Sequence, residues 1–223
     1  MTEPCEDALR ILGHELRRPL TVIRGASTLL MDDGDALPPE SRQNMLSMID
    51  RSATEMSDLI DDLMIAVHLD IGDVDYSFEA VDLPALVRDA VEWARRGHPD
   101  RCVRVGPMED LEVEADRDHA LRALRALVVN ALQFSPEDSP VEVAAGAAGG
   151  VATLDVLDRG PGIPAAQRER VFDKFARLDP RVGGAGLGLF LARGLARGMG
   201  GDVAVGDRED GGAAICFTLR RRG

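Results

Sequence analysis

Only one lysine, Lys174, stands among the 26 Lys and Arg residues of this 223-residue chain. That bias fits a GC-rich coding sequence or adaptation to salt, and it says nothing about mechanism. Basic residues are outnumbered as well: 39 Asp and Glu leave a formal charge of −13 and a pI near 4.7. No basic stripe is left to suit a nucleic-acid partner. Cysteine is scarce, and Cys5, Cys102 and Cys216 are odd in number and lack the spacing of metal ligands. Reduced thiols in a cytosolic compartment are expected. Long apolar runs are missing too. None approaches the ~18 residues of a membrane span, and Glu3, Glu6, Asp7 and Arg10 interrupt any signal-like apolar stretch at the start. These absences predict a soluble, cytoplasmic chain with no membrane contact and no nucleic-acid partner.

The length suits one large or two modest domains. Its acidity is uneven: residues 1–70 hold 14 Asp and Glu against 6 Arg, which places −8 of the −13 there. Asp50, Glu55, Asp58, Asp61 and Asp62 crowd one predicted helix, either as a solvated face or as a surface that steers a basic partner.

Two helical patterns open the chain. Leu9, Leu12, Leu16, Leu20, Ile23 and Leu30, with Ser27 in the same register, recur at helical spacing through residues 6–31. Taking Leu9, Leu16, Ile23 and Leu30 as heptad a positions puts His14 at an f position, away from the seam and within reach of another protein. Pro19 removes an i−4 hydrogen bond and predicts a bend one turn beyond the histidine. Residues 31–39 read as a loop rich in Asp, Gly and Pro. Met45, Ile49, Ser52, Met56, Leu59, Leu63 and Ala66 then mark a second helix. One αα-hairpin buries little, so two hairpins from two chains are expected to close a four-helix bundle. Residues 1–70 thus predict a homodimer.

Residues 71–75 read as a hinge, and beyond them strands and helices mix. Strands are predicted at 76–81, 101–105, 111–114, 141–145, 151–157, 202–205 and 213–219, and helices at 83–96, 117–134 and 187–199. The last two strands read as a closing hairpin. One layer of helices on one sheet makes residues 76–223 an α+β sandwich. The order does not fit a Rossmann repeat.

Five motifs stand out. Gly13-His14-Glu15-Leu16-Arg17-Arg18-Pro19-Leu20 lies on the first helix. Leu127 to Phe134 puts Asn130 on a long helix. Asp158-Arg159-Gly160-Pro161-Gly162 follows a Val- and Leu-rich strand. Val171 to Asp179 spaces Phe172 and Phe175 three apart. Gly183-Gly184-Ala185-Gly186-Leu187-Gly188 opens the last helix, where glycines expose amides to phosphate.

Together these resemble the catalytic core of sensor histidine kinases: a histidine box followed, in order, by the nucleotide boxes of the kinase, gyrase and chaperone ATPases. The resemblance covers nearly the whole chain. It implies a helical hairpin followed by an α+β sandwich of the Bergerat type, with ATP and Mg²⁺ as cofactors. It also implies roles for residues. His14 is the phosphoacceptor and Glu15 its general base. Asn130 is the magnesium ligand, and Asp158 recognises the adenine amino group. Gly160, Gly162, Phe175, Gly184, Gly186, Leu187 and Gly188 shape the nucleotide site, and Arg177 meets the γ-phosphate. The implied partner is the receiver domain of a response regulator, whose aspartate takes the phosphoryl group. No sensor lies in the sequence, so either this is an excised core or a separate sensor protein supplies the signal.

Three departures from the family pattern stand out. Ala126 and Gln133 replace a frequent Asn and Lys. Loss of the lysine predicts weaker phosphate contact by about 1–3 kcal/mol, with Arg177 or Arg181 as compensating cations. Arg18 replaces a frequent Thr or Asn, which predicts weak or absent phosphatase activity. Two other readings stay open: a non-catalytic phosphotransfer hub with a degenerate ATP site, and a serine/threonine kinase or ATPase of the same superfamily.

Overall fold

A computed structural model describes residues 3–34, 36–179, 182–208 and 210–222, with side chains from position 8 onward except 148. Arg181 and the side chain of Cys5, both weighed above, lie outside the described residues. The chain divides into two compact units, residues 1–65 with 183–185 and residues 66–182 with 186–223.

The first unit holds α1 (Glu3–Asp33) and most of α2 (Pro39–Ile71). Both helices run a little longer than their apolar stripes. α1 continues through Pro19, and α2 begins on Pro39, where the missing amide costs no intrahelical bond. Between them the Ala36 and Leu37 amides both donate to Asp33 O, and the Arg42 guanidinium donates to Gly34 O. Little of this unit is buried. Pro19, Ala26 and Ser52 are covered, while Leu9, Leu20, Leu29, Met31, Leu46, Met48, Ile60 and Met64 are exposed.

The second unit begins inside α2, at Ala66. The helix stops where Gly72 takes a positive φ of 70°, and the Asp73 amide returns to His68 O at 2.9 Å, a glycine-terminated helix end. Then follow β1 (Glu79–Asp82), α3 (Leu83–Gly97), β2 (Val103–Met108), β3 (Glu112–Ala115) and α4 (Arg117–Phe134). β4 (Val141–Ala148), β5 (Val151–Leu157), α5 (Gly188–Gly198), β6 (Asp202–Asp207) and β7 (Ala213–Arg220) complete it. β2, β4, β5, β7 and β6 form one five-stranded sheet in that order, and β1 pairs with β3 in a separate ribbon.

Alternation sets which face of the sheet is covered. Val143, Val156 and Ile215 stand side by side across three strands and are buried. The neighbouring row, Ala144, Asp155, Cys216 and Ala204, points to the opposite face. Helices α3, α4 and α5 bury the first face with stripes such as Leu83, Leu86, Val87, Ala90, Val91 and Ala94. Asp82 and Asp116 cap α3 and α4 by accepting from the Ala85 and His119 amides.

Among the differences from the sequence reading, three bear on the architecture. The first strand starts at Glu79 instead of Tyr76, because Tyr76–Phe78 is held otherwise: the Ser77 amide donates to Asp116 Oδ2 at 2.9 Å and the Tyr76 ring lies 5.1 Å from that of His119. β2 starts at Val103 and reaches Met108, because Arg101 is drawn into a turn by its amide bond to His98 O. Pro107 is tolerated because β2 is an edge strand. Instead of one sheet there are two, and β2 runs parallel to β4.

Candidate functional site

The motif at residues 13–20 lies midway along α1. His14 is exposed, as its place off the apolar seam predicts, and Leu16 is half-buried. The Glu15 side chain is largely covered, 10% exposed, and its Oε2 sits 3.6 Å from Arg18 Nη1, one turn on. A continuous helix fixes these neighbours: residues three and four apart share a face, with Cβ atoms about 5–6 Å apart.

In the second unit, α4 is buried along Ala120, Leu121, Ala123, Leu124, Leu127, Val128, Ala131 and Leu132. The remaining stripe carries Ala126, Asn130 and Gln133, at helical spacing and partly accessible. Asn130 thus keeps its amide off the core. Gly188, at the start of α5, faces that stripe, with Ala126 Cβ 3.8 Å from where its own Cβ would be.

Asp158 ends β5 and is buried, 3% exposed. Its Oδ1 accepts from the Gly160 amide at 2.7 Å and the Ala213 amide at 3.1 Å. With both bonds on one oxygen, Oδ2 remains as the acceptor for a ligand. The glycines around it are dictated by space. A Cβ on Gly160 would meet Phe134 O at 2.7 Å, and Gly162 takes a φ of +73°. On Gly212 a Cβ would lie 2.1 Å from Asp158 O.

Further along, Phe172 is buried under the Arg193 guanidinium, 4.3 Å from its ring centroid. Phe175 is only half-buried and holds φ at 63°, alone among the described non-glycine residues. Such a backbone costs about 1–3 kcal/mol and persists only where neighbours impose it. Here the Phe175 amide donates to Gly186 O at 2.9 Å, while a Cβ on Gly186 would come within 2.7 Å of Phe175 C and Ala176 O. The two boxes are therefore locked backbone to backbone. Arg177 turns its guanidinium onto Val182 O within its own loop.

Gly184 also has a positive φ, 111°. Leu187 is buried and precedes α5 without a side-chain cap, which leaves the first amides of that helix open to an anion. Among the described residues no cluster of three His, Cys, Asp or Glu could hold a metal, and no helix is long and apolar enough to cross a membrane.

Four contributors escaped the sequence reading. Ser135 is buried and its Oγ accepts from the Arg159 amide at 3.2 Å, tying α4 to the Asp158 turn. Arg208 donates to Glu142 Oε1 at 2.8 Å and to Asp158 O at 3.4 Å. That guanidinium holds the Glu142 carboxyl below the usual carboxylate range. Gly212 and Ala213 close the far side of Asp158. The closing hairpin was read, but the Ala213 amide meets Asp158 55 residues away in sequence, beyond any local signal.

Two family models match this chain. Residues 6–70 match the His Kinase A (phospho-acceptor) domain, and residues 115–223 match the histidine kinase-, DNA gyrase B- and HSP90-like ATPase. The chain is 32% identical over 218 residues to the sensor histidine kinase WalK of Bacillus subtilis (strain 168), covering 93% of this chain and 35% of that protein. It spans well under half the length of such curated relatives, from 24% to 38%. Among solved structures, the mycobacterial sensor histidine kinase MprB superposes with a TM-score of 0.59 at 31% identity, over 66% of this chain and 99% of that one. Full-length ShkA in complex with AMPPNP gives 0.68 at 27% identity, over 97% of this chain and 46% of that one. The chain belongs to the sensor histidine kinases, a family of protein-histidine kinases, and carries their phosphoacceptor and ATPase domains.

Proposed function

We propose that this chain is the core of a two-component kinase that moves the γ-phosphoryl group of ATP to His14, then to an aspartate of a response-regulator receiver domain. The observation that carries this reading is Asp158: a buried carboxylate with one oxygen saturated by backbone amides and the other left to accept from an adenine amino group. The pairing of that site with an exposed histidine beside a carboxylate supports kinase chemistry over a phosphotransfer hub or a simple ATPase.

Magnesium fits the donors present. With no carboxylate cluster among the described residues, Asn130 would be its one protein ligand, which suits an ion that is usually shared between few side chains, phosphates and water. When bound, it would neutralise charge on the phosphates. The chain's own groups do the rest. Gly160, Gly162 and Gly188 admit the nucleotide close to backbone, Leu187 seats the turn that opens α5, and Gly184 and Gly186 shape the phosphate loop. Arg177 is a cation at the root of that loop. A ring nitrogen of His14 attacks the γ-phosphorus as the bond to the ADP oxygen breaks, and Glu15 takes the imidazole proton. Residues 1–70 serve as the dimerisation and phosphotransfer domain of a cytoplasmic homodimer. Residues 71–75 act as the hinge and 76–223 as the nucleotide domain, and a sensor element outside these residues supplies the signal.

Incubation with Mg²⁺ and γ-labelled ATP tests this. Acid-labile, alkali-stable label is expected on the wild type and not on His14→Gln. Label persisting in His14→Gln, or none on a wild type that binds nucleotide, overturns it.

A further inference from the structure

We infer that Arg18 acts as a positioning residue that holds the phosphoryl group on His14 once it has been transferred. The inference rests on His14 being the phosphoacceptor. His14 and Arg18 are four apart on α1 and both side chains reach solvent, Arg18 with 61% of its side chain exposed. Four-residue spacing on a helix is the reach at which a guanidinium meets an anion one turn away. Glu15 lies on the same turn, and its carboxylate already sits 3.6 Å from Arg18 Nη1. At that separation the pair is an ion contact without a full hydrogen bond, so the guanidinium retains donors to give.

Phosphorylation changes the balance on this turn. His14 then carries a dianionic group with three acceptor oxygens, next to the Glu15 carboxylate. The two anions on this turn repel, and a planar five-donor cation four residues beyond one and three beyond the other relieves that. Arg18 is placed to bridge both. Arg17 is the other guanidinium within one turn C-terminal of His14, but the ion contact the structure gives Glu15 is to Arg18. In hydrolysis a water oxygen bonds to phosphorus, the P–N bond breaks, its electron pair returns to the imidazole, and the ring nitrogen takes a proton from water as phosphate leaves. A cation bound to the phosphoryl oxygens stabilises the phosphorylated ground state and slows that loss.

The test separates this inference from the reading it rests on by phosphorylating histidine chemically, with phosphoramidate, so that the ATP site is not needed. The decay of label on His14, defined by subtraction of His14→Gln, is followed in wild type, Arg18→Ala, Arg18→Lys and Arg17→Ala. Arg18→Ala is expected to lose label about threefold faster, the size of an exposed ion pair, and Arg18→Lys to recover most of the difference. Added salt should speed loss from wild type and leave Arg18→Ala unchanged. Decay in Arg18→Ala equal to wild type, or an effect that appears in Arg17→Ala instead, overturns the inference. ATP-derived label that persists in His14→Gln would instead sink the phosphoacceptor reading, while the chemical decay still decides the role of Arg18. Helicity by circular dichroism checks that each variant folds.

Discussion

The two units of this chain solve the burial problem in opposite ways. The sheet unit encloses its own core, with Phe217, Leu154, Ile215, Leu124 and Leu191 all at 1% exposure or less. The helical unit covers mainly small side chains and leaves Leu46 at 48%, Ile60 at 50% and Met31 at 85% exposed. One unit encloses its apolar surface within a single chain; the other leaves large apolar side chains exposed, which is the surface a bundle partner would cover. The candidate site residues follow the same division: Asp158 is buried and oriented by backbone amides, whereas His14 stands in the open.

Core truncation is the strongest way to break this comparison. Phe217→Ala should cost the sheet unit about 3–5 kcal/mol. Leu46→Ala should cost under about 1 kcal/mol in the isolated chain, and more as protein concentration rises and a second hairpin covers the site. Trp93, the only tryptophan, lies on α3 and reports the sheet unit, while far-UV circular dichroism weights the long helices. Denaturant unfolding at two protein concentrations should move the helical transition and leave the Trp93 transition fixed. Coincident, concentration-independent transitions would erase the distinction.

Asp158→Asn sharpens it at the site. Asparagine keeps an oxygen for the Gly160 and Ala213 amides but turns the second acceptor into a donor. Loss of a hydrogen bond to a charged group is worth about 1.5–3 kcal/mol, on the order of tenfold to a hundredfold in Kd. Titration with an adenine nucleotide analogue should show that loss, while His14→Gln binds it as well as wild type. Equal affinity in Asp158→Asn would remove the carboxylate from recognition.

Local signals explain what the sequence disclosed. The bounds of α4 and β5 matched residue for residue, because Asp116 caps a strongly periodic helix and β5 alternates cleanly between two turns. His14 was placed on the open face by heptad arithmetic alone. Non-local pairing was not legible. Nothing near Val103 announces that β2 pairs parallel with β4, and nothing near Ser135 points to the Arg159 amide. Residues 76–81 read as a strand by alternation, but a buried carboxylate 39 residues away claimed the Ser77 amide instead.

That carboxylate provides a pH test of the segment leading into β1. Burial pushes the Asp116 carboxyl up, but hydrogen bonds from the His119 and Ser77 amides, the His119 ring contact and its charge outweigh it and hold the group below the usual range. A depressed acid contributes stability above its unfolded pKa and loses it as pH falls through the folded value. The sheet unit should therefore weaken from about pH 4 downward, and Asp116→Asn, which keeps a capping oxygen, should flatten that acid limb by Trp93 fluorescence. An unchanged limb would mean that the cap carries no charge effect.

The smallest effect separates the outer face of the sheet from its β2 edge. Cys102 is exposed, whereas Cys216 is half-buried on β7 with Asp155 directly across on β5. Burial, then the charge and hydrogen bond of Asp155, push the Cys216 thiol up to about 12. Only a thiolate attacks a disulfide or maleimide reagent at a useful rate, so at pH 8 Cys102 should be modified well before Cys216. Peptide mapping after timed labelling reads this directly. Asp155→Asn should quicken Cys216 without altering Cys102, because it removes the negative charge but leaves the strand pairing in place. Equal rates at the two cysteines would show that the outer face of the sheet opens as readily as its edge, and the contrast between a self-contained sheet and an unfinished hairpin would have to be drawn less sharply.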